Sequence, residues 1–71
     1  MHDENVTYLK VKEELERYER NGVIISVEGK PVVAKKAARI SCYEKNACYM
    51  RDYIIDDHGE IVEIGFNRVD Y

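Results

Sequence analysis

Tryptophan is absent from this 71-residue chain, proline occurs once, cysteine twice and glycine four times. So little proline and glycine excludes a collagen-like repeat and a flexible linker. The two cysteines, Cys42 and Cys48, and the two histidines, His2 and His58, are scattered. They do not form the four organised ligands of a structural zinc site. No apolar run approaches the roughly 18 residues of a membrane span. The polar, acidic start Met1-His2-Asp3-Glu4-Asn5 does not resemble a secretory signal. A Gly-rich phosphate loop, a dinucleotide fingerprint, G-x-S-x-G and H-E-x-x-H are missing too. The expectation is a soluble, cytoplasmic protein with no metal and no cofactor, its cysteines serving as small hydrophobes.

What is present suits a single domain over residues 1–71. A chain of this size buries roughly 60% of its unfolded surface, enough for one small core. Hydrophobic residues are 45% and charged residues 35%, a globular composition. The net charge of −3 is unevenly spread. Residues 1–43 hold eight basic and seven acidic groups; residues 44–71 hold three basic and seven acidic. The balance is too acidic for a general nucleic-acid coat.

Tyr8, Val11, Leu15 and Tyr18 recur at helical spacing, so a helix is expected from about Asn5 to Arg20. Glu13–Arg17 and Glu16–Arg20 are i,i+4 pairs, Asn5 or Thr7 can cap the start, and Asn21-Gly22 supplies the stop. Residues 23–27, Val-Ile-Ile-Ser-Val, read as a strand. Pro31-Val32-Val33-Ala34 fits either the return strand of a hairpin turning at Gly29 or the first turn of a helix. The helix, from about Pro31 to Lys45, is favoured. Ile40, Val33, Ala37, Ala34, Ala38 and Cys42 fall on one side of it, and Lys35, Lys36 and Arg39 on the other.

Residues Tyr49 to Val69 read as a β-hairpin turning at Asp57-His58-Gly59. Pairing Asp56 with Glu60 places Ile54 against Val62 and Met50 against Phe66 on one face. Ile55 then meets Ile61, and Tyr53 meets Glu63, on the other. Asp52 would share the inward face with Met50 and Ile54, burying a charge unless Arg39, Arg51 or Arg68 pairs with it or a bulge returns it to water. Gly65 within a strand points to a bulge or a close backbone approach. The expected fold is α+β: a three-stranded sheet with two helices on one face, order α-β-α-β-β, ending in the hairpin.

For chemistry, Cys42 or Cys48 with His58 lacks a third orienting group. Asp56, Asp57 and Glu60 read as turn acids. Six tyrosines are too many for so small a core to hide with every hydroxyl satisfied, so several belong at the rim. The expected function is a non-enzymatic protein-interaction module that binds another protein or a second copy of itself. Its expected surface is Lys35, Lys36, Arg39, Tyr43, Tyr49 and Tyr53. Two alternatives remain: a nucleic-acid-associated regulator using the basic helix, and an acidic inhibitor of a nucleic-acid-handling protein using residues 52–63.

Overall fold

The junction at Asn21-Gly22 sets the path of the N-terminal half. In the computed structural model, which describes residues 3–43 and 48–69, helix α1 spans Asp3–Arg20. It ends in a Schellman motif. The Val23 N–H donates to the Tyr18 carbonyl at 3.0 Å, and the Gly22 N–H to the Glu19 carbonyl at 3.1 Å. Gly22 takes φ +87°, which a side chain would strain. Val23 and Tyr18 both pack on the core, so the chain passes from helix into β1, Ile24–Val27. Thr7 lies inside α1 rather than at its cap; the side chain of Asn5 lies outside the described residues. Among the described residues the ion pair along α1 is Lys12–Glu16, at 3.3 Å, and not Glu13–Arg17 or Glu16–Arg20.

The expected three-stranded sheet and α-β-α-β-β order are corrected here. The sheet has four strands, and the order is α-β-β-α-β-β. Glu28 and Gly29 have φ +52° and +80°, the type I′ geometry that reverses the chain in two residues. Lys30–Pro31 then returns as β2, with Ser26 opposite Pro31 and Val27 opposite Lys30. The Val32 N–H donates to the Ile25 carbonyl at 2.9 Å. The open edge of β1 therefore claims the segment expected to begin the helix, because its backbone groups otherwise lack partners.

Helix α2 consequently starts three residues late and spans Ala34–Tyr43; the expected end at Lys45 lies outside the described residues. Val33 occupies the cap position, its carbonyl accepting from Lys36 and Ala37, but it has no side-chain oxygen to cap with. Glu19, near the end of α1, supplies one: its carboxylate accepts the Ala34 N–H at 3.0 Å. At the other end Tyr8 meets Tyr43, ring centroids 5.3 Å apart. The two helices are thus antiparallel. Ala34, Ala37 and Ala38 are fully buried, small enough to let α2 lie close to α1 and β1.

Strands β3, Cys48–Ile55, and β4, Ile61–Val69, form the hairpin. Its turn closes as expected, Asp56 and Glu60 joined by a 2.9 Å backbone bond. The Asp56 carboxylate accepts from the His58 and Glu60 N–H groups at 2.8 and 3.0 Å. The sheet order is β2-β1-β4-β3, with β1 parallel to β4. Leu15, Val23, Ile25, Ile64 and Phe66 complete the core with the three alanines.

Two substitutions test the junctions. Glu28 is a non-glycine residue in the left-handed region, where asparagine is better tolerated. Glu28→Asn is expected to raise the melting temperature by about 2–6 °C; an unchanged or lower value counts against the type I′ assignment. Glu19→Ala is expected to cost about 1 kcal/mol in denaturant unfolding, and Glu19→Gln less, since it keeps an acceptor. Equal midpoints for wild type and Glu19→Ala would show that the cap contributes nothing.

Candidate interaction surface

A register shift at the far end of the hairpin decides what each face displays. Ile55 pairs with Ile61 as the turn dictates, but Ile54 pairs with Glu63, leaving Val62 as an extra residue in β4. Beyond this bulge the expected pairs are corrected: Met50 lies opposite Asn67 rather than Phe66, and Tyr53 opposite Ile64 rather than Glu63. Ile64 and Phe66 now point at the helices together with Tyr49, Arg51 and Tyr53. Met50, Asp52 and Ile54 point to the face opposite the helices.

Asp52 is therefore not buried. The Asn67 side-chain amide donates to it at 2.6 Å, so none of the arginines considered as its partner is needed. On the same face Ile24, Glu63 and Ile54 form one row across the sheet, and Ser26, Gly65 and Asp52 the next. The Ser26 hydroxyl donates to Glu63 at 2.8 Å. A Cβ on Gly65 would stand 3.3 Å from the Ser26 oxygen, so the glycine marks a close approach.

On the helix face Arg51 lies over the Phe66 ring, 5.2 Å from its centroid. Its Nη1 donates to both Glu14 carboxylate oxygens, at 3.1 and 3.2 Å, and to the Tyr53 hydroxyl at 3.0 Å. Burial pulls the guanidinium pKa down, but the Tyr53 and Glu14 bonds outweigh it and hold the group above its ordinary value. Arg51 thereby ties the outermost strand to α1. The sequence signal for this arrangement was the awkward placement of Asp52, which a one-residue bulge resolves.

The two edges of the sheet differ. At one edge β2 is two residues long and consists of a lysine and a proline. A short strand, an exposed Lys and a Pro are all devices that prevent further strand pairing. At the other edge β3 runs for eight residues with neither Pro nor Gly. Its charged residues, Arg51 and Asp52, are both bonded back into the protein. Met50, Tyr53, Ile54 and Ile55 are 55%, 44%, 48% and 57% exposed. The hairpin also outreaches its neighbour, since β1 pairs only with Glu63–Phe66. Ile55, Ile61 and Val62 form a two-stranded arm beyond it.

The expected surface residues divide between two elements. Lys35, Lys36 and Arg39 are exposed on α2, where with Val33 and Ile40 they line a shallow groove of about 390 Å³. Tyr43 ends that helix against Tyr8. Tyr49 lies half-buried on the core, and Tyr53 sits beside Arg51 on β3. Met50 and Ile54 were missed because the expected register turned them inward; Ile55, already on the other face, was passed over beside Tyr53. A second concavity, about 480 Å³, is lined by Glu14, Arg17 and Tyr18 of α1 and by Asn21 just after it. Cys48 and the turn holding His58 stand roughly 23 Å apart along β3, at about 3.3 Å per residue, too far to act as a pair. Among the described residues no three His, Cys, Asp or Glu side chains gather to hold a metal ion, and no helix is long and apolar enough to cross a membrane.

Comparison with known protein families, with curated proteins and with solved structures finds no match.

Arg51→Ala is expected to lower stability by about 1–2 kcal/mol, through loss of the ring contact and the partly exposed ion pair. A double-mutant cycle with Glu14→Ala should give a coupling below about 1 kcal/mol. Zero coupling would mean that Phe66 and Tyr53 alone hold the guanidinium.

Proposed function

We propose that this chain is a non-enzymatic protein-interaction module whose contact surface is the outer edge and projecting arm of the β3–β4 hairpin. The observation that carries the reading is the contrast between the edges. Lys30 and Pro31 close one side of the sheet to further pairing, while β3 offers eight residues of backbone with largely apolar side chains. Strand addition at such an edge draws affinity from main-chain hydrogen bonds and specificity from alternate side chains. The arm strengthens the reading. Ile61 packs back on the core, while Ile55 and Val62 stay exposed beyond the reach of β1 and gain by being covered.

The cations of α2 fit this reading less directly. Lys35, Lys36 and Arg39 form no ion pair among the described residues, but three charges on an exposed helix face are also ordinary solvated surface.

The test uses the double variant Met50→Lys with Ile54→Lys. Both side chains are about half-exposed, so the fold should persist, with a melting temperature within about 2 °C of wild type. Immobilised wild-type protein is expected to retain a partner, whether another protein or its own soluble copy, that the folded double variant does not. The same bound species on both would remove β3 as the contact surface.

A further inference from the structure

The extra residue of the bulge, Val62, belongs to β4, so β3 keeps strict alternation from Cys48 to Ile55. That regularity allows the strand to be matched against itself. A twofold axis perpendicular to the sheet brings two β3 edges together antiparallel and keeps the faces aligned, so that only residues of like parity meet. Three central registers are open to such a pair. An axis at Arg51 sets two arginines against each other and Asp52 against Met50. An axis at Tyr53 sets Ile54 against Asp52, and Ile55 against Arg51.

An axis at Asp52 behaves differently. It sets Ile54 against Met50 of the second copy on the open face, twice by symmetry. On the helix face it sets Tyr53 against Arg51 of the second copy and Ile55 against Tyr49 of the second copy. Each of these flanking pairs is apolar with apolar or arginine with tyrosine, the combinations that stabilise neighbouring strands. Three of the four exposed large hydrophobic side chains of β3, Met50, Ile54 and Ile55, gain an apolar neighbour. The one unfavourable contact is Asp52 against itself, softened by the Asn67 amide already bonded to each carboxylate.

We propose that the occupant of the β3 edge is a second copy of this chain, paired antiparallel about Asp52 into a continuous eight-stranded sheet; this rests on the reading of β3 as the contact surface. The β2 edges then become the outer limits of the sheet, and their Lys30 and Pro31 stop it from growing. Seven residues a side, Tyr49 to Ile55, make a small interface, at or below about 1,200 Å². Weak edge pairing of this kind is expected to associate in the micromolar range.

Sedimentation of the full chain from about 1 to 300 µM tests this. The weight-average mass is expected to rise toward twice that of the chain. Met50→Lys with Ile54→Lys should stay monomeric. Asp52→Asn should tighten the dimer about two- to fivefold, because it removes the like-charge contact while keeping a partner for Asn67. The register has its own readout. In a Cys42→Ser, Cys48→Ser background, Asp52→Cys should form a disulfide-linked dimer under mild oxidation, since cross-strand Cα separations of about 4.5–5.5 Å suit a disulfide. Tyr53→Cys should not. A wild-type monomer throughout the range would overturn the proposal. So would a dimer that the double lysine variant leaves intact, or cross-linking of Tyr53→Cys in preference to Asp52→Cys. A monomer that still captures another protein through β3 would overturn self-pairing alone and leave the interaction reading standing.

Discussion

One extra residue in a strand orients the C-terminal half of this protein. Val62 has no single partner across the hairpin, and the pairing beyond it shifts by one. Because strand side chains alternate, that shift exchanges the two faces of β3. Ile64 and Phe66 face α1 and α2 in either register; with the bulge Arg51 joins them on that face and bridges Phe66 and Glu14. Asp52 is carried to the face opposite the helices, where Asn67 meets it. Without the bulge the same strand would set Asp52 opposite Ile64 in the core. The cost of burying an unpaired carboxylate exceeds that of one irregular pair.

The bulge also prepares the edge. Charged side chains usually keep an outer strand from pairing further. Here both charges of β3 have partners inside the molecule. What remains toward the edge is aromatic and aliphatic, on a strand long enough to be copied by another. At the opposite side two residues, Lys30 and Pro31, carry the protection. A sheet finished on one side and unfinished on the other is the basis for reading this protein as one that works by contact.

The helical layer depends on small contacts at its ends. Glu19 caps the helix that follows it, although α2 has no polar residue at its own cap position. Tyr8 and Tyr43 close the other end of the pair. Between them the three alanines let the helices approach. The alanine face was readable from the sequence because it follows the 3.6-residue period. The Glu19 contact was not, because the residues it joins lie fifteen apart and meet only when the helices are antiparallel.

Features set within a few neighbouring residues were determined by the sequence alone. They include the body of α1, its stop at Gly22, the strand after it, the alanine face and the turn held by Asp56. Each depends on periodicity, a positive φ or a local side-chain bond. The second strand, the face shown by β3 and the identity of the open edge belonged to the tertiary structure. Lys30–Pro31 becomes a strand only because β1 lies alongside with unpaired backbone groups. Arg51 turns inward only because Phe66 and Glu14 are there to receive it. Pairing between distant segments supplies the deciding energy in these cases; for β2 the local pattern allowed both a return strand and a helix start, and the edge of β1 decided between them.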